Sequence, residues 1–462
     1  MRYISTRGLQ DALGFSDAVM TGLARDGGLL LPAEIPYVAN RLPAWHTLSY
    51  PDLAFEIIKL FCDIPENELR DLVTRSYSAF NHPDVTPVVS VDGIHVLELF
   101  HGPTLAFKDV ALQFLGNVFE HILERRNQEL NILAATSGDT GSAAICGVRG
   151  RHRIRIFVMH PRGRVSPTQE RQMTSVLDDN VFNIAVQGTF DDCQRIMKEL
   201  FSDLAFKDRY SLGAVNSINW ARVLAQVVYY FFAAFRVIRL TGCRRVRFSV
   251  PTGNFGDIFA GYIAQRMGLP VSRLVLATNE NDILTRFFTT GEYKQGAVHA
   301  TISPSMDIQV ASNFERYLYY RLGEDAAALR ERMQEFARSG RLSVRPLPNG
   351  FVDDLIQAGS ANTAQTLATI REFHTRYGYL LDPHSAVGVQ VAGQHLQDGE
   401  PMICLATAHP AKFSQAIQDA TGKDLAHHPT LDALEDLPTR CAVLPATRDA
   451  IRTHIEQSLV SE

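Results

Sequence analysis

Lysine is scarce in this chain of 462 residues: seven of the 45 basic side chains. It is the basic residue whose amine can be neutralised for chemistry, so each one is a candidate in its own right. Cysteine is also sparse. The six (Cys62, Cys146, Cys193, Cys243, Cys404, Cys441) stand far apart with no C-x-x-C pair. That excludes a closely spaced zinc site or disulfide framework and reads as buried thiols in a reducing cytoplasm. The fifteen histidines contain no H-E-x-x-H spacing, so no metal is expected. The longest clean apolar run, "VVYYFFAAF" at 227–235, is far short of the roughly 20 residues a bilayer requires. The opening "MRYISTRGLQD" lacks the apolar run of a signal peptide. A net charge of −5 gives no reason for a polyanion-binding face, so neither nucleic acid nor membrane is an expected partner. No internal repeat or low-complexity segment appears.

A rhythm begins after residue 90. "NILAAT" (131–136), "RIRIFVMH" (153–160), "VFNIAV" (181–186), "RVRFSV" (245–250), "LVLAT" (274–278) and "MICLAT" (402–407) read as short buried strands, mostly separated by helical-period segments. Alternating strands and helices predict an α/β fold with open, mainly parallel sheets and helices on both faces. Such sheets bind ligands beyond the carboxyl ends of their strands. Residues 1–90 read as an N-terminal domain, 91–280 with 381–425 as the α/β core, 281–380 as a mostly helical insertion, and 426–462 as a C-terminal extension.

Two lysines share the context "LAFKD": Lys108 and Lys207. Asp191 and Asp192 open a helix whose apolar stripe is Ile196, Met197, Leu200, Phe201 and Leu204, leaving Lys207 in its last turn. A cation there is favoured by the helix dipole, and Lys207 reads as a solvated end residue. Lys108 precedes a helix marked by Phe114, Leu115, Val118, Phe119, Ile122 and Leu123. It therefore sits at a helix N-terminus among Leu105, Ala106, Phe107 and Val110, where dipole and desolvation both favour a neutral amine. That suits a lysine that attacks a carbonyl; the bland alternative is a lysine snorkelling beside Asp109.

Three loops follow predicted strands. "PTGNFGD" combines Gly253 and Gly256 with a helix start, a cradle for one phosphate or merely a tight turn. It has neither G-x-G-x-x-G nor P-loop spacing, which argues against a nucleotide. Asp257 would repel a phosphate unless it caps the helix and points away. "TSGDTGSAA" offers Ser137, Gly138, Asp139 and Thr140 as a carboxylate cradle or an N-cap cluster. "ATAHPAKF" puts Thr407 at a strand end, with Lys412 read as a solvated helix lysine. A nucleophilic amine with a phosphate cradle and a carboxylate cradle describes pyridoxal phosphate acting on an amino acid.

These stretches, with "GLARDGGLLLP", "HPRGRVSPTQERQM", "NSINWARVLAQVVYYF" and "SPSMDI", run in one order over nearly the whole chain. On them the chain resembles the threonine synthases of the long bacterial and fungal type, within fold type II of the pyridoxal-phosphate enzymes (tryptophan synthase β-like). The resemblance implies that Lys108 carries the cofactor as a Schiff base and is the catalytic base. It implies that Gly253, Asn254, Phe255, Gly256 and Asp257 hold the cofactor phosphate, and that Thr407 meets the pyridine nitrogen. Ser137, Gly138, Asp139 and Thr140 are then expected at the substrate carboxylate. Arg162, Ser166, Asn219 and Arg222 are candidates for the substrate phosphate. The implied activity is conversion of O-phospho-L-homoserine and water to L-threonine and phosphate, the last step of threonine biosynthesis, by a monomer or homodimer. A sibling lyase that releases 2-oxobutanoate and phosphate shares the same motifs, and a non-catalytic member binding the cofactor is a further alternative.

Overall fold

The computed structural model describes residues 1–460. The chain divides into two compact units: Met1–Ala111 with Ser217–Ala426, and Leu112–Asn216 with the chain from His427 onward.

The first unit is built on a six-stranded sheet. Its order is Ile356–Ser360, Val271–Thr278, Val246–Pro251, Met402–Ala406, Ile94–Glu98, Val88–Val91. All pairs are parallel except the last, a hairpin turned by Asp92 and Gly93 at φ 45° and 82°. Asp-Gly between alternating residues favours such a hairpin, and the strand list read from the sequence did not include it. Strand Ile356–Ser360 lies within the stretch read as a mostly helical insertion. Five residues with two small ones at their centre carry too little apolar patterning to announce a strand. The stretch does carry the helices Ile283–Thr290, Phe314–Arg321, Ala326–Ser339 and Thr363–Tyr377.

Helix Trp220–Thr241 is long and apolar enough to cross a membrane by length and composition alone, but most of it is buried within this unit. Tyr50 packs edge-on against its Phe232 at 5.2 Å, and its Tyr230 packs on Phe248 of the central sheet at 4.8 Å. Each such buried aromatic contributes about 2 kcal/mol from the water it leaves. The apolar run read from the sequence is core packing.

The second unit holds a five-stranded parallel sheet: Ala442–Pro445, Val181–Gln187, Ile154–Pro161, Leu130–Ala135, Leu212–Gly213. The C-terminal stretch is part of it. Strand Ala442–Pro445 forms one edge, and Ile451 and Ile455 of the last helix join Ile196, Leu200 and Phe206 in its core.

Candidate active site

Lys108 is the first residue of helix Lys108–Arg126 and is only 8% exposed. The loop before it is held from both sides. Asp109 is fully buried, and its carboxylate accepts the Thr104 N–H at 2.8 Å and the Thr104 hydroxyl at 2.7 Å. Burial pushes the Asp109 carboxyl up to about 6. Gly102 makes room for it, since a Cβ there would stand 2.5 Å from the Asp109 Cβ. Leu105 adopts φ 59°, a left-handed backbone that a branched residue keeps only when its surroundings impose it. They do: His409 N–H donates to the Leu105 carbonyl at 3.0 Å, and Phe107 N–H donates to the Thr407 carbonyl at 2.8 Å. Lys108 and Thr407 are thereby one residue and one hydrogen bond apart.

Lys412 corrects its reading. It is 2% exposed, and its ammonium donates to the Thr104 carbonyl at 2.7 Å. Pro410 starts a short 3-10 turn that directs it inward; the sequence offered no sign of this, because Ala-Lys-Phe after a proline also fits a surface turn. Lys207 keeps a last-turn position, but in a separate helix, Leu204–Arg209. The helix expected to run on from Asp191 ends at Ser202, and Asp203 caps the next one.

The loop after strand Val246–Pro251 leads into helix Gly256–Arg266, which no side chain caps. Phe255 stands before it at φ 64°, its ring buried against Phe288, Phe314 and Tyr317. The segment 303–306 lies against the loop so closely that a Cβ on Gly253 would stand 2.5 Å from the Ser305 carbonyl oxygen. Asn313 clamps the other side, its N–H and Nδ2 both donating to the Asn254 carbonyl at 3.0 and 3.2 Å. Asp257 is inside the helix rather than its cap. Its carboxylate turns into the protein to accept the Tyr229 and Tyr230 hydroxyls at 2.6 and 2.8 Å. That orientation blunts the repulsion expected from a carboxylate here, and burial pushes its carboxyl up to about 6.

Asn219 caps helix Trp220–Thr241, accepting the Ala221 N–H at 3.1 Å and donating to the Val19 carbonyl at 2.8 Å. Its amide oxygen and one amide proton therefore serve the fold, and Arg222 is the other anion-binding candidate of this motif. Arg222 is 4% exposed, and its Nε and Nη1 meet no hydrogen-bond partner among the described residues. Burial lowers its guanidinium to about 10. One turn on, the buried Gln226 Oε1 also meets no partner among the described residues, and it lies 3.9 Å from where a Cβ on Gly256 would stand.

In the second unit the loop 136–138 joins strand Leu130–Ala135 to helix Asp139–Val148. Thr136 Oγ1 accepts the N–H groups of Gly138 and Gly141 at 3.0 and 2.9 Å. Gly138, at φ 150°, has no room for a Cβ, which would fall 2.6 Å from Gln169 Oε1. Gln169 is the residue the motif reading missed. Its Nε2 donates to Asp139 Oδ1 at 2.8 Å, and its Oε1 accepts the Ser166 hydroxyl at 3.0 Å. Ser166 also caps helix Pro167–Thr174. Asp139 and Ser166 are thus brought together, while Ser137 and Arg162 are exposed and Thr140 half-buried.

Family models match three stretches: "Threonine synthase N terminus" at residues 2–77, "Pyridoxal-phosphate dependent enzyme" at 81–349, and "Threonine synthase, C-terminal" at 385–455. The threonine synthase of Pseudomonas aeruginosa is 46% identical, covering 99% of this chain and 98% of its own. That of Schizosaccharomyces pombe is 47% identical over 90% of this chain and 88% of its own. The chain belongs to the threonine synthase family. Among solved structures, the pyridoxal-phosphate-bound threonine synthase of Brucella melitensis superposes with a TM-score of 0.96 at 46% identity, covering 99% of each chain.

The fold is therefore that of the type II pyridoxal-phosphate enzymes, and pyridoxal phosphate is the cofactor. The residues of the first unit fit it. A buried amine, a glycine loop with no room for an extra Cβ at Gly253, an uncapped helix start and a strand-end threonine are the donor set a pyridoxal ring and one phosphate require.

Proposed function

We propose that this member of the threonine synthase family converts O-phospho-L-homoserine and water to L-threonine and phosphate. The observation that carries the reading is Arg222. A buried guanidinium with two unpartnered nitrogens is costly by itself and is a ready fixed cation for a second phosphate, beyond the one the 253–257 loop takes.

Bound pyridoxal phosphate supplies an electron sink for carbanionic steps next to the substrate amine. Lys108 Nζ would hold the cofactor between turnovers and, as a free amine, would take and return protons at the substrate carbons. Gly253, Asn254, Phe255, Gly256 and Asp257 hold the cofactor phosphate. The Thr407 hydroxyl serves the ring nitrogen as a neutral partner, which tempers electron withdrawal compared with a carboxylate. Ser137, Gly138, Asp139 and Thr140 take the substrate carboxylate. Arg222 holds the leaving phosphate, with Arg162 and Ser166 as further candidates. The same reading makes the protein a cytoplasmic monomer or homodimer.

The test is identification of products by NMR after incubating the holoenzyme with O-phospho-L-homoserine. Threonine with an equal amount of phosphate is expected. Predominant 2-oxobutanoate would move the chain to the lyase sibling, and no turnover by the loaded enzyme would remove the substrate assignment.

A further inference from the structure

The segment 382–388, "DPHSAVG", has no part in the assignments above, yet Asp382, His384 and Ser385 are all deeply buried. Asp382 caps helix Pro383–Ala392. Its carboxylate takes four hydrogen bonds, more than a cap requires. Oδ1 accepts the His384 N–H and Nδ1–H, both at 2.9 Å. Oδ2 accepts the Ser385 N–H at 3.2 Å and the Ser385 hydroxyl.

The two side chains so fixed reach in different directions. Ser385 Oγ, its proton committed to Asp382, accepts the Thr407 N–H at 3.1 Å. His384 Nε2 accepts the Ser305 N–H at 3.2 Å, which requires a neutral ring with its proton on Nδ1. The Ser305 carbonyl is the atom that crowds Gly253. One carboxylate thus lies behind the backbone of the strand-end threonine and behind the segment backing the phosphate loop.

We propose that Asp382 is a positioning residue for the cofactor, acting through Ser385 on Thr407 and through His384 on the 303–306 segment that backs Gly253. Only donors face its carboxylate, so the isosteric amide is not a neutral replacement. In the Asp382→Asn variant, a side-chain NH2 turned toward His384 forces the ring proton to Nε2, against the Ser305 N–H. Turned toward Ser385, the same NH2 pushes the hydroxyl proton toward the Thr407 N–H. Either arrangement breaks one of the two connections. The inference rests on the reading that Thr407 meets the ring nitrogen.

The experiment titrates pyridoxal phosphate into the full-length apoprotein and follows the pH dependence of the visible band of the loaded enzyme. Wild type, Thr407→Val, Ser385→Ala, Ser385→Thr and Asp382→Asn are compared. Thr407→Val is expected to move the pH midpoint of the band. Ser385→Ala moves it in the same direction and weakens cofactor affinity about 3- to 10-fold, the value of one lost neutral hydrogen bond. Ser385→Thr restores both, and Asp382→Asn weakens affinity more than Ser385→Ala does. A Ser385→Ala protein with wild-type band and affinity, beside an altered Thr407→Val, overturns the positioning role and leaves the Thr407 reading standing. An unaltered Thr407→Val overturns the Thr407 reading itself. Should Ser385→Ala not fold, Asp382→Asn against Ser385→Thr decides, and equal behaviour of those two overturns the proposal.

Discussion

Arg222 and Gln226 lie one turn apart on the helix Trp220–Thr241, and each buries a polar atom that meets no partner among the described residues. A fold assembled for stability alone would not leave two such groups side by side. Replacing Arg222 by Met removes an uncompensated buried charge, so the ligand-free protein is expected to gain about 1–3 kcal/mol of stability. The same change should lower kcat/KM for the phosphorylated substrate by about 30-fold to 1000-fold, the worth of one or two charge-assisted hydrogen bonds. Denaturant melts and steady-state kinetics on one preparation check both halves; a destabilised Arg222→Met protein would contradict the account.

Lys108 and Lys207 share their local sequence but not their surroundings. Lys108→Ala is expected to remove at least about 10⁴-fold of activity, because it loses both the cofactor anchor and the base. Lys207→Ala should stay within about twofold of wild type, as surface-type changes do. Equal losses in a turnover assay would undo the argument from helix position.

Asp257 carries a pH signature. Burial raises its carboxyl from 3.8 to about 6, so the folded protein holds a proton that the unfolded chain has released. Its contribution to stability is complete below about pH 4 and is lost as pH rises through 6, amounting to about 3 kcal/mol. Asp257→Asn keeps the shape and an acceptor for the two tyrosines but cannot ionise. Relative to wild type it should therefore become progressively more stable between pH 4 and 7. A difference that stays flat across urea melts at those pH values would contradict the assignment.

Gly138→Ala tests the second unit. The added methyl meets the Gln169 amide at 2.6 Å, and φ 150° is closed to alanine. A cost of at least about 2 kcal/mol is expected. Displacing Gln169 also removes its hydrogen bond to Asp139 Oδ1, so KM for the amino-acid substrate should rise even where the protein remains folded. An unchanged KM in a folded variant would remove the 137–140 loop from substrate binding.

The sequence by itself determined a mainly parallel α/β architecture, because buried strands must be apolar throughout and helices between them must show one apolar face. It also determined which loops to suspect, since glycine is required wherever backbone must approach a ligand or another chain segment. The place of Lys108 at a helix start was legible because the apolar stripe that follows it is a local property. Other features depended on partners far along the chain. Lys412 is buried because the Thr104 carbonyl, some three hundred residues away in sequence, receives its ammonium. Asp257 is turned from the loop by tyrosines of a different helix, and Gln169 reaches Asp139 only once two helix starts are packed together. The division into units was set the same way: the C-terminal strand Ala442–Pro445 completes a sheet begun near residue 130. Local patterning reports what a segment does to itself, whereas the burial and the hydrogen-bond partner of a polar side chain are decided by the segment that packs against it.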